Sequence, residues 1–270
     1  MSAALSSGWH AAPAVGYAPR VLLRVLAEFL RDPGAGNRLL PALPDIVILT
    51  VFSLLVGLTV HEASHALVAD RLGDPTARRA GRISLNPLRH LDRTGTLLLF
   101  VIGIGWGRPV PIDPHRLRFG PLRGPAVVAL AGPVSNLLVA WLLTVPIRLG
   151  WVKWHSPDFY PVPFAVVDPA WVVADILGYL IFFNLMLAAF NLIPVAPLDG
   201  SRLLGFVLPH RALPLLHRYE LVGPLILAPL LVVLLALDLA TGGARLAGLI
   251  APLANLLSNI IVGRPLLRPM

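Results

Sequence analysis

Residues 46–65 read IVILTVFSLLVGLTVHEASH: fifteen uncharged, mostly apolar residues from Ile46 to Val60, then His61-Glu62-Ala63-Ser64-His65. A hydrocarbon core takes about 20 apolar residues to cross as a helix. This run therefore reads as most of a membrane-spanning helix, extending from about Ile46 to Leu72. Gly73, with Pro75 two residues on, supplies the helix stop. Three ionisable groups sit inside the span, where a central acid costs about 2.5–3.5 kcal/mol on insertion scales. Such groups face an interior partner, and a metal ion would be one.

The rest of the chain supports the membrane reading. Of 270 residues, 56% are apolar and 13% charged, against about 25% charged in a soluble domain. Residues 124–147, 176–198, 221–237 and 246–263 contain no Asp, Glu, Lys or Arg. Spans are expected at about 125–147, 171–195, 221–239 and 246–263. The predicted fold is an all-α polytopic membrane protein of about five transmembrane helices, or six if the first 44 residues also cross.

Residues 1–44 form an N-terminal segment in which Val21 to Arg31 spaces apolar residues as an interfacial amphipathic helix. Residues 45–270 make up the remaining, membrane-embedded domain. Between Thr94 and Gly107 the chain is uncharged but too short to cross, and Gly95, Gly103, Gly105 and Gly107 make it a poor helix. A re-entrant hairpin packed on protein is the physical solution, because irregular backbone is not tolerated against lipid.

The net charge of +8 comes from 21 Arg and the single Lys153. Ten of those Arg lie between Arg71 and Arg123, so the excess reads as a topology signal rather than as a nucleic-acid surface. Arg78, Arg79 and Arg82 are expected at anionic lipid. With 71–123 cytoplasmic, an N-terminus before one crossing would lie outside with four Arg, a mild violation of the charge rule. No signal peptide is evident. Cysteine is absent, so a transition metal must be held by His and carboxylate.

On a helix, positions i and i+4 share a face, so His61 and His65 can reach one metal with Glu62 one step round. Zinc needs a third protein ligand and an open position for water, whose pKa it lowers. Glu62 can then accept the proton and pass it to a leaving amine. The competing reading, a solvated helix face, fits poorly with fifteen uncharged residues before the motif.

For the third ligand Asp199 is the candidate. It ends an apolar span in Asn191-Leu-Ile-Pro-Val-Ala-Pro-Leu-Asp199-Gly200, where Pro194 and Pro197 forbid a regular helix. A broken helix at membrane depth is tolerated where it lines a cavity. A plain span end with a capping Asp and a Gly stop is the alternative, and Asp175 is the competing intramembrane acid. His90, His115, His155, His210 and His217 lie in polar connections and are expected to be solvated. Trp106, Trp151, Trp154 and Trp171 sit near span ends as interface anchors.

These residues resemble the site-2 protease family of intramembrane zinc metalloproteases, in its small bacterial form. His61–His65 matches its zinc motif and Asn191–Gly200 its signature N-x-x-P-x-x-P-L-D-G. The resemblance extends to Gly81–Pro87, Gly105–Pro111 and Ala131–Asn136, covering about 60–200. It implies one zinc ion per chain with Asp199 as third ligand. It also implies that Asn136 and Asn191 line the site, as oxyanion or substrate-backbone donors. An ordinary interhelical hydrogen bond is the competing role for each Asn. The hairpin from Gly95 to Pro111 would pair with a substrate strand by edge addition.

The implied activity is peptide-bond hydrolysis in or near transmembrane segments, on single-pass membrane proteins, in a bacterial cell membrane. The rival is a non-proteolytic zinc-binding scaffold or transporter, disfavoured by the intact Glu62. Neither the PDZ domain nor the terminal nucleotide-binding domain of many relatives is expected, because the connection from Arg148 to Pro169 is too short for the first and the chain stops soon after the last span.

Overall fold

A computed structural model describes residues 43–96, 107–154, 168–241 and 245–263. Five helices carry the fold: α1 Leu43–Arg71, α2 Gly120–Arg148, α3 Pro169–Asn191, α4 Leu213–Thr241 and α5 Arg245–Ile261. Short turns of α and 3-10 helix join them, and no strand occurs among the described residues beyond one isolated bridge. At 1.5 Å per residue the 29 residues of α1 extend about 43 Å, more than the roughly 30 Å of hydrocarbon.

Among the described residues, four segments are long and apolar enough to cross: Pro44–Arg71, Gly120–Arg148, Pro169–Asn191 and His210–Asp238. The segment expected at 246–263 forms α5, whose 17 residues reach only about 26 Å. It earns its place by packing: Ile250, Ala254 and Ile261 join Ile181, Phe182, Leu185 and Ala189 of α3 and Ala140 of α2 in the main buried cluster. Arg148, the last residue of α2, donates to the carbonyl of Ile261 and ties the ends of α2 and α5 together.

α1, α2 and α3 pack against one another and enclose the interior. Gly57 lets them close: a Cβ there would lie 2.7 Å from Leu187 Cδ1 of α3. α2 stays helical through Pro125, Pro133 and Pro146. That is tolerated in membranes, where neighbouring groups satisfy the freed carbonyls. Asp168 caps α3, its side chain accepting from the Ala170 N–H at 2.8 Å. α4 presents Leu221, Leu225, Ile226, Val232 and Val233 outward, as a helix against lipid should.

α1 ends as expected, with Gly73 at φ 103°. The chain then turns back along α1. Asp74 is fully buried and accepts from the Thr76 and Asp113 N–H groups at 3.0 and 2.6 Å, and the Arg118 N–H donates to the Leu72 carbonyl at 2.8 Å. These bonds fasten segment 107–118 to the end of α1.

Two expectations about this loop change. His90 is not solvated: it is fully buried, its Nε2–H donating to the Ser84 carbonyl at 2.7 Å. Arg82 is not at lipid: it is 4% exposed and turned inward, because the neighbouring segment supplies the Arg108 carbonyl as its acceptor. Arg78 pairs with Asp70, and Arg79 is exposed. The N-terminal interfacial helix, Trp106, His155 and the middle of the re-entrant hairpin lie outside the described residues. Leu91, three residues before that stretch, bridges Gly107 in antiparallel fashion.

Candidate metal centre

α1 sets His61 and His65 one turn apart, ring centroids 4.6 Å apart and planes at 87°. Each ring is held from behind. His65 Nδ1 lies 2.7 Å from the Val128 carbonyl, which can only accept, so Nδ1 carries the hydrogen. His61 Nδ1 lies 2.7 Å from Asn136 Oδ1. The orientation of that amide is fixed by its other end, where Nδ2 donates to the Gly57 carbonyl at 3.0 Å and to Asn184 Oδ1 at 2.8 Å. His61 Nδ1 therefore donates as well. Such outer bonds set the tautomer of metal-binding imidazoles.

In the neutral form of each ring Nε2 then carries the lone pair, and both Nε2 atoms face one atom. Asp199 Oδ2 is 3.0 Å from His61 Nε2 and 3.2 Å from His65 Nε2. In that tautomer three electron-rich atoms face one another, an arrangement that a bound cation would stabilise. Asp199 Oδ2 is buried with no hydrogen-bond donor. His61, His65 and Asp199 offer ligand atoms all within 4.8 Å of one another. Two imidazoles and a carboxylate with a position left open form a donor set suited to zinc. Gly132 on α2 keeps the space clear: a Cβ there would lie 2.5 Å from both Nε2 atoms.

Asp199 arrives through a loop with few backbone bonds of its own, among them Val195 N–H to the Ile193 carbonyl at 2.8 Å and Leu198 N–H to the Val195 carbonyl at 2.9 Å. Past the end of α3, Pro194 and Pro197 lack donors, and the Tyr219 hydroxyl of α4 substitutes. It donates to the Pro194 carbonyl at 2.9 Å and accepts from the Ala196 N–H at 3.1 Å. Gly223, one turn along α4, lets Ala196 approach so closely that a Cβ would lie 2.3 Å from the Ala196 Cβ. Gly200 is needed for the same reason, since its Cβ would meet the Ile193 carbonyl oxygen at 2.3 Å. Asp199 then opens a single helical turn to Arg202, and the Arg202 guanidinium pairs with Glu220 of α4 at 3.3 Å.

Glu62 is beside this group with its side chain 12% exposed, and Arg82 Nη2 stands 3.9 Å from its Oε2. Asn136, expected to face substrate, is fully buried, with both amide hydrogens and its oxygen engaged. Asn191 ends α3 and donates from Nδ2 to the Leu187 carbonyl at 3.0 Å. Asp175 lies outside the cluster, as do His90, His115, His210 and His217. Sequence reasoning passed over Asn184 and Tyr219 and read Arg82 as a lipid contact. Asn184, an amide inside an uncharged run, carried a usable signal, because intramembrane polar groups seek partners. Tyr219 carried none.

An H-E-x-x-H helix closed among spanning helices by a distant carboxylate defines an intramembrane zinc metalloprotease, multi-pass in its membrane. The chain belongs to peptidase family M50, the site-2 protease family, whose profile matches residues 161–234. It is 37% identical over 159 residues to YwhC of Bacillus subtilis (strain 168), described as a candidate zinc metalloprotease, covering 59% of this chain and 68% of that one. Rip2 of Mycolicibacterium smegmatis, similarly described, is 32% identical over 171 residues, 61% of this chain and 58% of its own. Rip2 of Mycobacterium tuberculosis (Erdman) is 30% identical over 203 residues, 72% and 71%. No solved structure matches significantly.

Proposed function

We propose that His61, His65 and Asp199 hold the zinc ion, that Glu62 is the general base, and that the substrate is a single-pass membrane protein cut in or beside its transmembrane segment. The observation that carries this reading is the approach of both Nε2 atoms to one buried carboxylate oxygen at 3.0 and 3.2 Å. When bound, zinc supplies Lewis acidity toward the scissile carbonyl and a water of lowered pKa.

The chain's own residues do the rest. Glu62 takes the proton from water and returns it to the leaving amine. Asn136 and the Val128 carbonyl hold the imidazoles in their metal-binding tautomer. With its amide fully engaged, Asn136 is an orienting residue rather than an oxyanion donor. Asn191 keeps that second role, since its Nδ2 bears a further hydrogen beyond the one given to Leu187. Glu62 lies nine residues from the Arg71 end of α1, about 14 Å along the axis, so cleavage takes place below the helix ends. A substrate helix must unwind locally there to expose its carbonyls.

The test compares purified Glu62→Gln and Asp199→Ala with the parent protein. Glu62→Gln should hold one zinc and lose cleavage of a reporter transmembrane peptide by roughly 10²–10⁴-fold. Asp199→Ala should lose zinc by elemental analysis. Full zinc in Asp199→Ala, or undiminished turnover in Glu62→Gln, refutes the assignment. Membrane proteomics of cells carrying Glu62→Gln should then reveal uncut single-pass proteins.

A further inference from the structure

Arg82 is an arginine with an unusual position. It comes from the loop after α1, twenty residues beyond Glu62, yet it returns to within 3.9 Å of the Glu62 carboxylate. It is 4% exposed. The same Nη2 that faces Glu62 donates to the Arg108 carbonyl, so the head group is gripped from segment 107–118 as well as drawn by the acid. Its backbone is set too: the Arg82 N–H donates to the Ala77 carbonyl at 2.9 Å, and Gly81 takes the positive φ of 67° that the turn needs.

Stability does not explain it. A buried ion pair often contributes no more than an apolar pair of the same volume, and Arg82 Nε has no hydrogen-bond partner at all. The side chain is placed for its Nη2, not for the comfort of the guanidinium. The separation is informative in the same way. At 3.9 Å the pair attracts but is too long for a hydrogen bond. A bidentate pair would tie up both Glu62 oxygens. This one leaves them open to accept a proton while limiting where the carboxylate can swing.

We propose that Arg82 is a positioning residue for Glu62, orienting its carboxylate by charge, with the Arg108 carbonyl fixing Arg82 in turn. The inference rests on the reading of Glu62 as general base.

The experiment uses the full chain in detergent, as Arg82→Gln, Arg82→Lys, Glu62→Gln and the double variant. Zinc content, melting temperature, turnover of a fluorogenic reporter peptide, and calorimetric binding of a zinc-chelating peptide hydroxamate are measured. A hydroxamate hydrogen-bonds to the base carboxylate as well as chelating, so its affinity reads the placement of Glu62 without turnover.

Arg82→Gln should keep one zinc and its KM, lose roughly 10–100-fold in kcat from base misplacement, and bind hydroxamate about 10-fold more weakly. Arg82→Lys should recover part of both losses, and it serves as the test if Arg82→Gln fails to fold. In the Glu62→Gln background, Arg82→Gln should change hydroxamate affinity no further. Unchanged kcat and hydroxamate affinity in Arg82→Gln, or zinc lost in step with activity, overturns the positioning role. Arg82→Gln normal beside an inactive Glu62→Gln defeats this inference alone; an active Glu62→Gln defeats the base.

Discussion

Substituting Gly132 by alanine puts one carbon where the ligand atoms meet. The added Cβ would lie 2.5 Å from His61 Cε1, His61 Nε2 and His65 Nε2, whereas ordinary contact begins at 3.4 Å. Roughly 0.9 Å must therefore be made up by sliding α2 away from α1 or by turning both imidazoles. A zinc site keeps its bond lengths only within about 0.2 Å, so neither adjustment leaves it intact. Turning the rings also breaks the 2.7 Å bonds to Asn136 and Val128. Disturbing such outer bonds costs about 10–100-fold in metal affinity. With two ligands displaced together the upper end applies, a loss of at least about 100-fold, or roughly 2.8 kcal/mol. The assay titrates purified protein with a zinc-buffering chelator and reads bound metal, with circular dichroism confirming that helix content is kept. Val134→Leu, at a 41% exposed position on the same helix, is the control and should be silent. Zinc affinity in Gly132→Ala within threefold of the parent protein would show that this close approach does not exist.

Removing the amide behind His61, as Asn136→Ala, should weaken zinc by about 10–100-fold while sparing the fold; competition with a colorimetric chelator measures it. Tyr219→Phe deletes the hydroxyl bridging Pro194 and Ala196, so zinc release, followed after chelator addition, should accelerate several-fold. Unchanged release would mean that Gly223 and Gly200 hold the loop unaided. Burial alone would raise the Asp74 carboxyl, but the Thr76 hydroxyl and the Asp113 and Thr76 N–H groups hold it below its ordinary value. A depressed carboxyl stabilises the fold fully above its unfolded value of about 3.9, and that stability is lost as pH falls through the lower folded value. Melting curves should therefore separate Asp74→Asn from the parent protein near neutrality, with the gap closing under acid.

The helices were legible because hydropathy is local: a run such as 176–198 declares its own burial. His61, Glu62 and His65 were legible because helical spacing alone puts them on neighbouring faces. Asp199 needed more. Two prolines announced a broken helix, but only a recognised signature, and then the geometry, brought it to the imidazoles. Arg82 and His90 were misread for one physical reason. Both lie in a polar, arginine-rich loop that looks solvated in sequence, and nothing in that loop says that it folds back along α1. Asn136 was read as a site residue, but its direction was not legible. Which way an amide faces depends on acceptors at Gly57 and Asn184, each from another helix.

The proposed metal ligands stand at positions 61, 65 and 199, and the loop bearing the last is braced by Tyr219 from the following helix. A nascent chain inserting helix by helix thus holds both histidines in the bilayer long before their partner has been synthesised. During that interval it has the motif but not the enzyme. Assembly order thus delays the proposed site until α1, α2 and α3 have met and the loop beyond them has folded back.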